Sequence, residues 1–165
     1  MGIAIGVDAF EEIVSTFDPP MFVVTARAGD EQDGCLVGFT TQCSIDPHRF
    51  VVCLSEKNRT TRLAQQCEIL VVHSLRAEQY AIAEHFGTET GDDVDKFATV
   101  AWHEGPNGTP VLTGCDWFAG RVLAQLDDWG DHLGFVLEVI DAEIVSGGER
   151  LGLQSVIDLD PGHAP

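Results

Sequence analysis

Apolar residues recur at three- and four-residue spacing in the first segment, at Val7, Phe10, Ile13, Val14 and Phe17, and predict an amphipathic helix from Val7 to Phe17. Asp18-Pro19-Pro20 ends it, because a residue before proline is pushed out of the helical region. Met21 to Ala28 is a β-branched run, Gly29 to Gly34 a polar turn, and Cys35 to Ser44 a second strand, which together predict an antiparallel hairpin. Asp46-Pro47 breaks the chain before a short buried strand, Phe50 to Ser55. Thr60 to Cys67 then reads as a helix and Ile69 to Ser74 as a strand. Glu78 to Phe86 is a further helix, with Tyr80, Ile82, Ala83 and Phe86 on or near its apolar side.

Gly87 to Asp95 is acidic and turn-rich, and His103 to Pro110, with Gly105-Pro106-Asn107-Gly108, reads as an exposed loop. Two long strands, Asp116 to Leu126 and His132 to Ile144, follow, joined by residues Asp127 to Asp131. The stretch Gly147 to Pro165, ending in Pro161-Gly162-His163-Ala164-Pro165, is expected to be a mobile or docked arm. Many strands at short spacing with three helices between them predict a mainly β fold, a barrel with α insertions. Strands do not alternate regularly with helices, which argues against a doubly wound parallel sheet. At 165 residues the chain is expected to be one domain, its core about 17–146 and its arm 147–165.

Charge changes what the chain can bind. The net charge is −18, and Lys57 and Lys96 are the two lysines. Such a chain repels a phosphate backbone and an anionic bilayer, so neither nucleic acid nor membrane is expected as a partner. No apolar run approaches the roughly 20 residues of a spanning helix. Met1 to Phe10 lacks the basic start and apolar stretch of a signal peptide, and the expected location is cytoplasmic. Cys35, Cys43, Cys53, Cys67 and Cys115 show neither a disulfide framework nor zinc spacing. Cys35, Cys43 and Cys53, within apolar strand-like runs, are read as small buried hydrophobes. His73, His85 and His103 lack metal-ligand spacing and are assigned no role, and no metal is expected. Trp102, Trp117 and Trp129 are read as core or dimer-interface residues. Neither G-x-G-x-x-G nor a phosphate loop is present, and nothing local marks a nucleophile.

Any anionic ligand must therefore be met by a locally basic spot. Val51 to Ser55 runs as a strand into Ser55-Glu56-Lys57-Asn58-Arg59-Thr60, which places two cations and a cap residue at the start of a helix. The plainer alternative is that Asn58 or Thr60 is a simple cap and the cations sit on a solvated face. Just upstream, Thr40-Thr41-Gln42-Cys43-Ser44 puts short polar side chains at a strand's end, where they suit a flat polar ligand. Lys96-Phe97 follows the acidic loop, and Lys96 either approaches a ligand's phosphate or carboxamide or lies on the surface.

Four elements carry a resemblance: Thr40-Thr41-Gln42-Cys43-Ser44-Ile45-Asp46-Pro47, the strand into Ser55-x-x-Asn58-Arg59-Thr60, Asp95-Lys96-Phe97, and Gly130-Asp131-His132. In this order the chain resembles the flavin reductase-like family, over roughly Phe17 to Ile144. The resemblance implies an FMN-binding split β-barrel, antiparallel and of Greek-key type, acting as a homodimer. It implies that Thr40, Thr41 and Gln42 line the isoalloxazine, that Ser55 lies near the ribityl chain, and that Lys57, Asn58, Arg59 and Thr60 hold the phosphate. Lys96 and Phe97 are carried as cofactor-binding candidates, and His132 is expected at the reactive face as a positioning residue, since the cofactor carries the chemistry. The implied activity is an NAD(P)H-dependent reductase of FMN, with FAD as the alternative flavin, supplying reduced flavin to a monooxygenase. The competing readings are a split-barrel module that binds flavin without turning over nicotinamide, and an FMN-dependent reductase of a small organic substrate.

Overall fold

The computed structural model describes residues 5–162; the first four residues and His163, Ala164 and Pro165 of the arm lie outside the described residues. Helix α1 spans Val7–Ser15, close to expectation, and buries none of its side chains. Val7, Phe10 and Ile13 are all exposed.

The hairpin forms from β1 (Phe22–Ala28) and β2 (Glu31–Val37), in register from Phe22 opposite Val37 to Ala28 opposite Glu31. Its turn is Gly29-Asp30 alone. The polar residues 31–34, read as a loop, are paired strand positions, and Asp33 is buried because it finds its partners inside the protein.

The expected single strand Cys35 to Ser44 is two strands. Gly38-Phe39 separates β2 from β3 (Thr40–Ser44), and β3 pairs with β4 (Arg49–Ser55) instead of β1. Helix α2 (Arg59–Ala64) and strand β5 (Ile69–Ser74) follow. The helix ends three residues earlier than its periodicity suggested, where the chain turns into β5. Strands β8 (Asp116–Leu126) and β9 (His132–Glu143) complete a seven-stranded antiparallel sheet in the order β2-β1-β5-β8-β9-β4-β3. One nearly continuous segment, β2 and β3, thus supplies both edges. The sheet curls on itself and stays split at that crossover.

Alternate residues of these strands face the interior, among them Val24, Cys35, Val52, Leu54, Val72, Phe135 and Leu137, and Leu63 and Ala64 of α2 pack against them. Phe50 sits edge-on to Phe22 and Phe118, with ring centroids 5.7 and 5.0 Å apart. Close approach of β8 to this interior requires Gly120, where an added Cβ would stand 2.6 Å from Leu137 Cβ.

A second layer covers the outer face of β1 and β5. It comprises α3 (Tyr80–Thr88), the hairpin of β6 (Trp102–Glu104) and β7 (Pro110–Leu112), and the arm around Leu151 and Val156. The Glu78 to Phe86 prediction resolves into a 3-10 turn, Ala77–Gln79, followed by α3; Ala83 and Phe86 are buried and Tyr80 is exposed. The expected loop His103 to Pro110 is largely this β6–β7 hairpin. Its anchors lie far upstream: Thr25 Oγ1 donates to the Pro110 carbonyl (2.6 Å), and buried His73 Nε2 accepts the Leu112 N–H (2.9 Å).

The arm is docked as far as it is described. Asp116 accepts the backbone N–H groups of Val145, Ser146 and Gly147 and pairs with Arg150 at 2.8 Å. The Ser146 N–H leads these interactions in holding the Asp116 carboxyl well below the usual carboxylate range. Leu151 then bonds Met21 and Leu75 through its backbone. Among the described residues no helix is long and apolar enough to cross a membrane.

Candidate functional site

Strand β4 ends where β9 begins, with Ser55 directly opposite His132. The Cys53 N–H donates to the Phe39 carbonyl at 2.9 Å, which draws the β2–β3 crossover to the same rim. There the Phe39 and His132 rings lie 4.9 Å apart at 58°. The Glu56 N–H bonds the Asp131 carbonyl at 3.0 Å and ties the β8–β9 loop to the segment before α2.

His132 Nδ1 is 2.6 Å from Asp131 Oδ1. This hydrogen bond, assisted by the charges of His132 and Lys57, holds the Asp131 carboxyl below its ordinary range. An ionised carboxylate only accepts, so Nδ1 carries the donated proton.

From this rim opens a groove of about 360 Å³. Ser55, Asn58 and His132 form a polar edge; Val37, Phe39 and Leu54 lie along its base, and Leu153, Val156, Ile157 and Leu159 line it from the arm. Apolar walls with a few converging polar groups are the usual make-up of a small-molecule site. A hydroxyl, an amide and an imidazole beside alkyl walls suit a flat ring system with a polar side chain. The residues present therefore fit a flavin.

Of the sequence candidates, the structure brings Ser55, Asn58 and His132 together at the groove. Asn58 also caps α2, its Oδ1 accepting the Thr60 N–H at 3.4 Å. Thr40 is half-buried at the start of β3, just past Phe39, while Thr41 and Gln42 are exposed further along this edge strand. Their side chains bond locally, Thr41 Oγ1 to the Gln42 carbonyl and Gln42 Nε2 to that of Ser44, each at 3.1 Å. Lys57 is exposed and near Asp131.

Four candidates lie elsewhere. Arg59 turns to the Gln32 carbonyl (3.3 Å) and Glu31 (3.7 Å), in a separate acidic cavity with Asp92, Asp93 and Asp95. Thr60 is buried and donates to Asp33 Oδ2 at 3.0 Å. Lys96 is also buried: its Nζ donates to the Gly34 carbonyl at 2.7 Å and lies 3.9 Å from Asp33 Oδ1. Phe97 packs between Phe86 and Trp102, with centroids 5.7 Å from each. For Arg59, Thr60 and Lys96 the physical reason is shared. In so acidic a chain these donors serve the protein's own carboxylates, and a buried Asp33 must be met before any ligand is.

Cysteine burial is uneven. The Cys35 thiol is pushed up to about 12 by its burial, whereas Cys43, expected to be buried, is exposed on β3. Trp117 is nearly buried, Trp102 half-buried, and Trp129 exposed on the β8–β9 loop. Among the described residues, no group of His, Cys, Asp or Glu is arranged to hold a metal ion. Sequence reasoning missed Phe39 and the arm's contribution to the groove. Phe39 stood out only as an aromatic in a polar stretch, and no local pattern marks residues 153–162 as a wall.

Comparison with known proteins gives a consistent set. The family described as flavin reductase like domain matches residues 14–155. The reductase subunit of a flavin-dependent monooxygenase from Rhodococcus jostii is 30% identical over 127 residues, covering 74% of this chain. The chain spans 62% of that relative's length, under two thirds. The reductase component of 4-hydroxyphenylacetate 3-monooxygenase from Klebsiella oxytoca is 26% identical, with 86% of this chain and 84% of that protein covered. Among solved structures, an NADH:FAD oxidoreductase from Streptomyces globisporus superimposes with a TM-score of 0.75 at 25% identity, covering 87% of each chain.

Proposed function

The chain belongs to the flavin reductase like domain family, and on that premise we propose that it is an NAD(P)H-dependent flavin reductase that supplies reduced flavin to a partner monooxygenase. The observation that carries this reading is the convergence of Ser55, Asn58 and His132 on one apolar groove at the mouth of the split barrel. Two reductase components of monooxygenases among its relatives support the choice of partner.

A flavin held here would supply the hydride-accepting chemistry by which NAD(P)H, FMN and a proton from solvent give NAD(P)+ and FMNH2. The chain's residues bind and orient. Ser55 and Asn58 offer a hydroxyl and an amide along the groove's polar edge, and exposed Lys57 beside them is the cation for a phosphate. Thr40, Thr41 and Gln42 present the backbone of an edge strand to the ring's polar rim. Asp131 holds His132 in one orientation, so the imidazole positions what lies over the groove. Arg59, Thr60, Lys96 and Phe97 act behind this rim by fixing β2 against α2 and α3.

FMN is the preferred flavin, since a groove of about 360 Å³ is near the lower end of ligand sites. A homodimer gives the exposed apolar groups Phe39, at the β2–β3 crossover, and Trp129, on the β8–β9 loop, a surface to bury against. The setting is cytoplasmic.

The test mixes purified chain with FMN and either NADH or NADPH and follows nicotinamide oxidation, with light scattering for the dimer. Oxidation above the free-flavin rate is expected. Tight FMN binding without oxidation would leave a flavin-binding module, and no binding would overturn both.

A further inference from the structure

The groove's wall opposite Ser55 and His132 is made by the last described stretch of chain. Val156, Ile157, Leu159 and Gly162 line it, and residues 156–162 lie beyond the family match, which ends at residue 155. The shared core thus supplies the polar edge, and this chain's own arm supplies much of the apolar wall.

The wall is held at both ends. Asp116 fixes the turn at Val145 to Gly147 from which the arm departs. Gln154 is tied to the end of α1, its N–H donating to Asp18 Oδ1 (2.8 Å) and its side-chain amide to the carbonyls of Ser15 (3.1 Å) and Phe17 (2.8 Å). At the far end Gly162 passes so close to α3 that an added Cβ would stand 2.6 Å from the Thr88 carbonyl oxygen. Between these anchors Val156 is buried against the second layer, while Ile157 remains 55% exposed even as it lines the groove. Its alkyl surface is left for whatever occupies that space.

We propose that residues 156–162 are the specificity-determining wall of the flavin site, with Ile157 as the residue that contacts the ring system. This rests on the groove being the flavin site. Alkyl side chains offer no partner to a ribose hydroxyl or a phosphate, and Glu89, which also lines the groove, sets negative charge against one. The wall therefore accepts a flat ring and gives no hold to an adenylate folded back over the groove from the phosphate end, and it discriminates by what it withholds as much as by what it contacts.

The experiment compares the full chain with Ile157→Ser and with a chain ending at Ser155, titrating FMN and FAD by flavin fluorescence and recording thermal melting. Wild type is expected to bind FMN more tightly than FAD. Ile157→Ser, at a half-exposed position, should melt with the wild type, weaken FMN binding by about tenfold and narrow the FMN-to-FAD ratio by a similar factor. The truncated chain should show the same narrowing. An Ile157→Ser variant that keeps the wild-type ratio, or that loses both flavins in equal proportion, overturns the inference while leaving the functional reading intact. A wild-type chain that binds neither flavin overturns the functional reading and this inference with it.

Discussion

His73 makes stability depend on pH between 6.5 and about 4. It lies fully buried in β5, with Nδ1–H donating to the Val23 carbonyl and Nε2 accepting the Leu112 N–H, each at 2.9 Å. A second ring proton would face the Leu112 N–H in place of an acceptor. Burial lowers its pKa from 6.5 to about 4. The native state refuses a proton that the unfolded chain accepts, so His73's contribution is complete above pH 6.5 and is lost as pH falls toward 4. At about 1.4 kcal/mol per pH unit the whole window spans about 3 kcal/mol, and roughly 2 kcal/mol is gone by pH 5. The assay is urea unfolding at several pH values between 7.5 and 5, for wild type and His73→Gln. At pH 7.5 the variant should be less stable by about 1–3 kcal/mol, having lost a buried hydrogen bond. By pH 5 that gap should close by about 2 kcal/mol, because glutamine does not titrate. A gap that stays constant across the range refutes the reasoning.

Other expectations follow from single contacts. Cys43 should react quickly with a thiol reagent in the folded protein, and Cys35, whose thiol is pushed up to about 12, only at the rate of unfolding; mass spectrometry of the labelled peptides distinguishes them. Gly120→Ala places a methyl 2.6 Å from Leu137 Cβ and should cost about 1–3 kcal/mol in a urea midpoint comparison. Asp131→Ala removes the acceptor that orients His132, and should lower kcat/KM for NAD(P)H roughly tenfold with melting unchanged. An unaltered kcat/KM would show that the orientation of His132 does not matter.

The strands that run apolar and β-branched were legible from the sequence, and β5, β8 and β9 start where the pattern places them. What the pattern could not carry was long-range pairing. Residues 31–34 are polar yet lie in β2, because Thr60 and Lys96, distant in sequence, meet the buried Asp33, one with a hydrogen bond and the other with its charge. The β6–β7 hairpin looked like a loop because His73 and Thr25, which hold it, are 30 or more residues away. At the site, Ser55 and His132 were legible as elements and meet across a strand pair, whereas Arg59, Thr60 and Lys96 seemed to await an anion and already have partners. Basic residues in an acidic chain report first on the chain's own carboxylates. The arm's role could not be read locally, since its alkyl residues acquire meaning only where they dock.

A flavin seats, on this reading, in the groove between His132 and the arm. A crystal structure with FMN tests it most directly. The ring is expected between His132 and Ile157, and the phosphate beside Lys57 and Asn58. A flavin bound in the acidic cavity at Arg59, or anywhere away from Ser55 and Asn58, would contradict it.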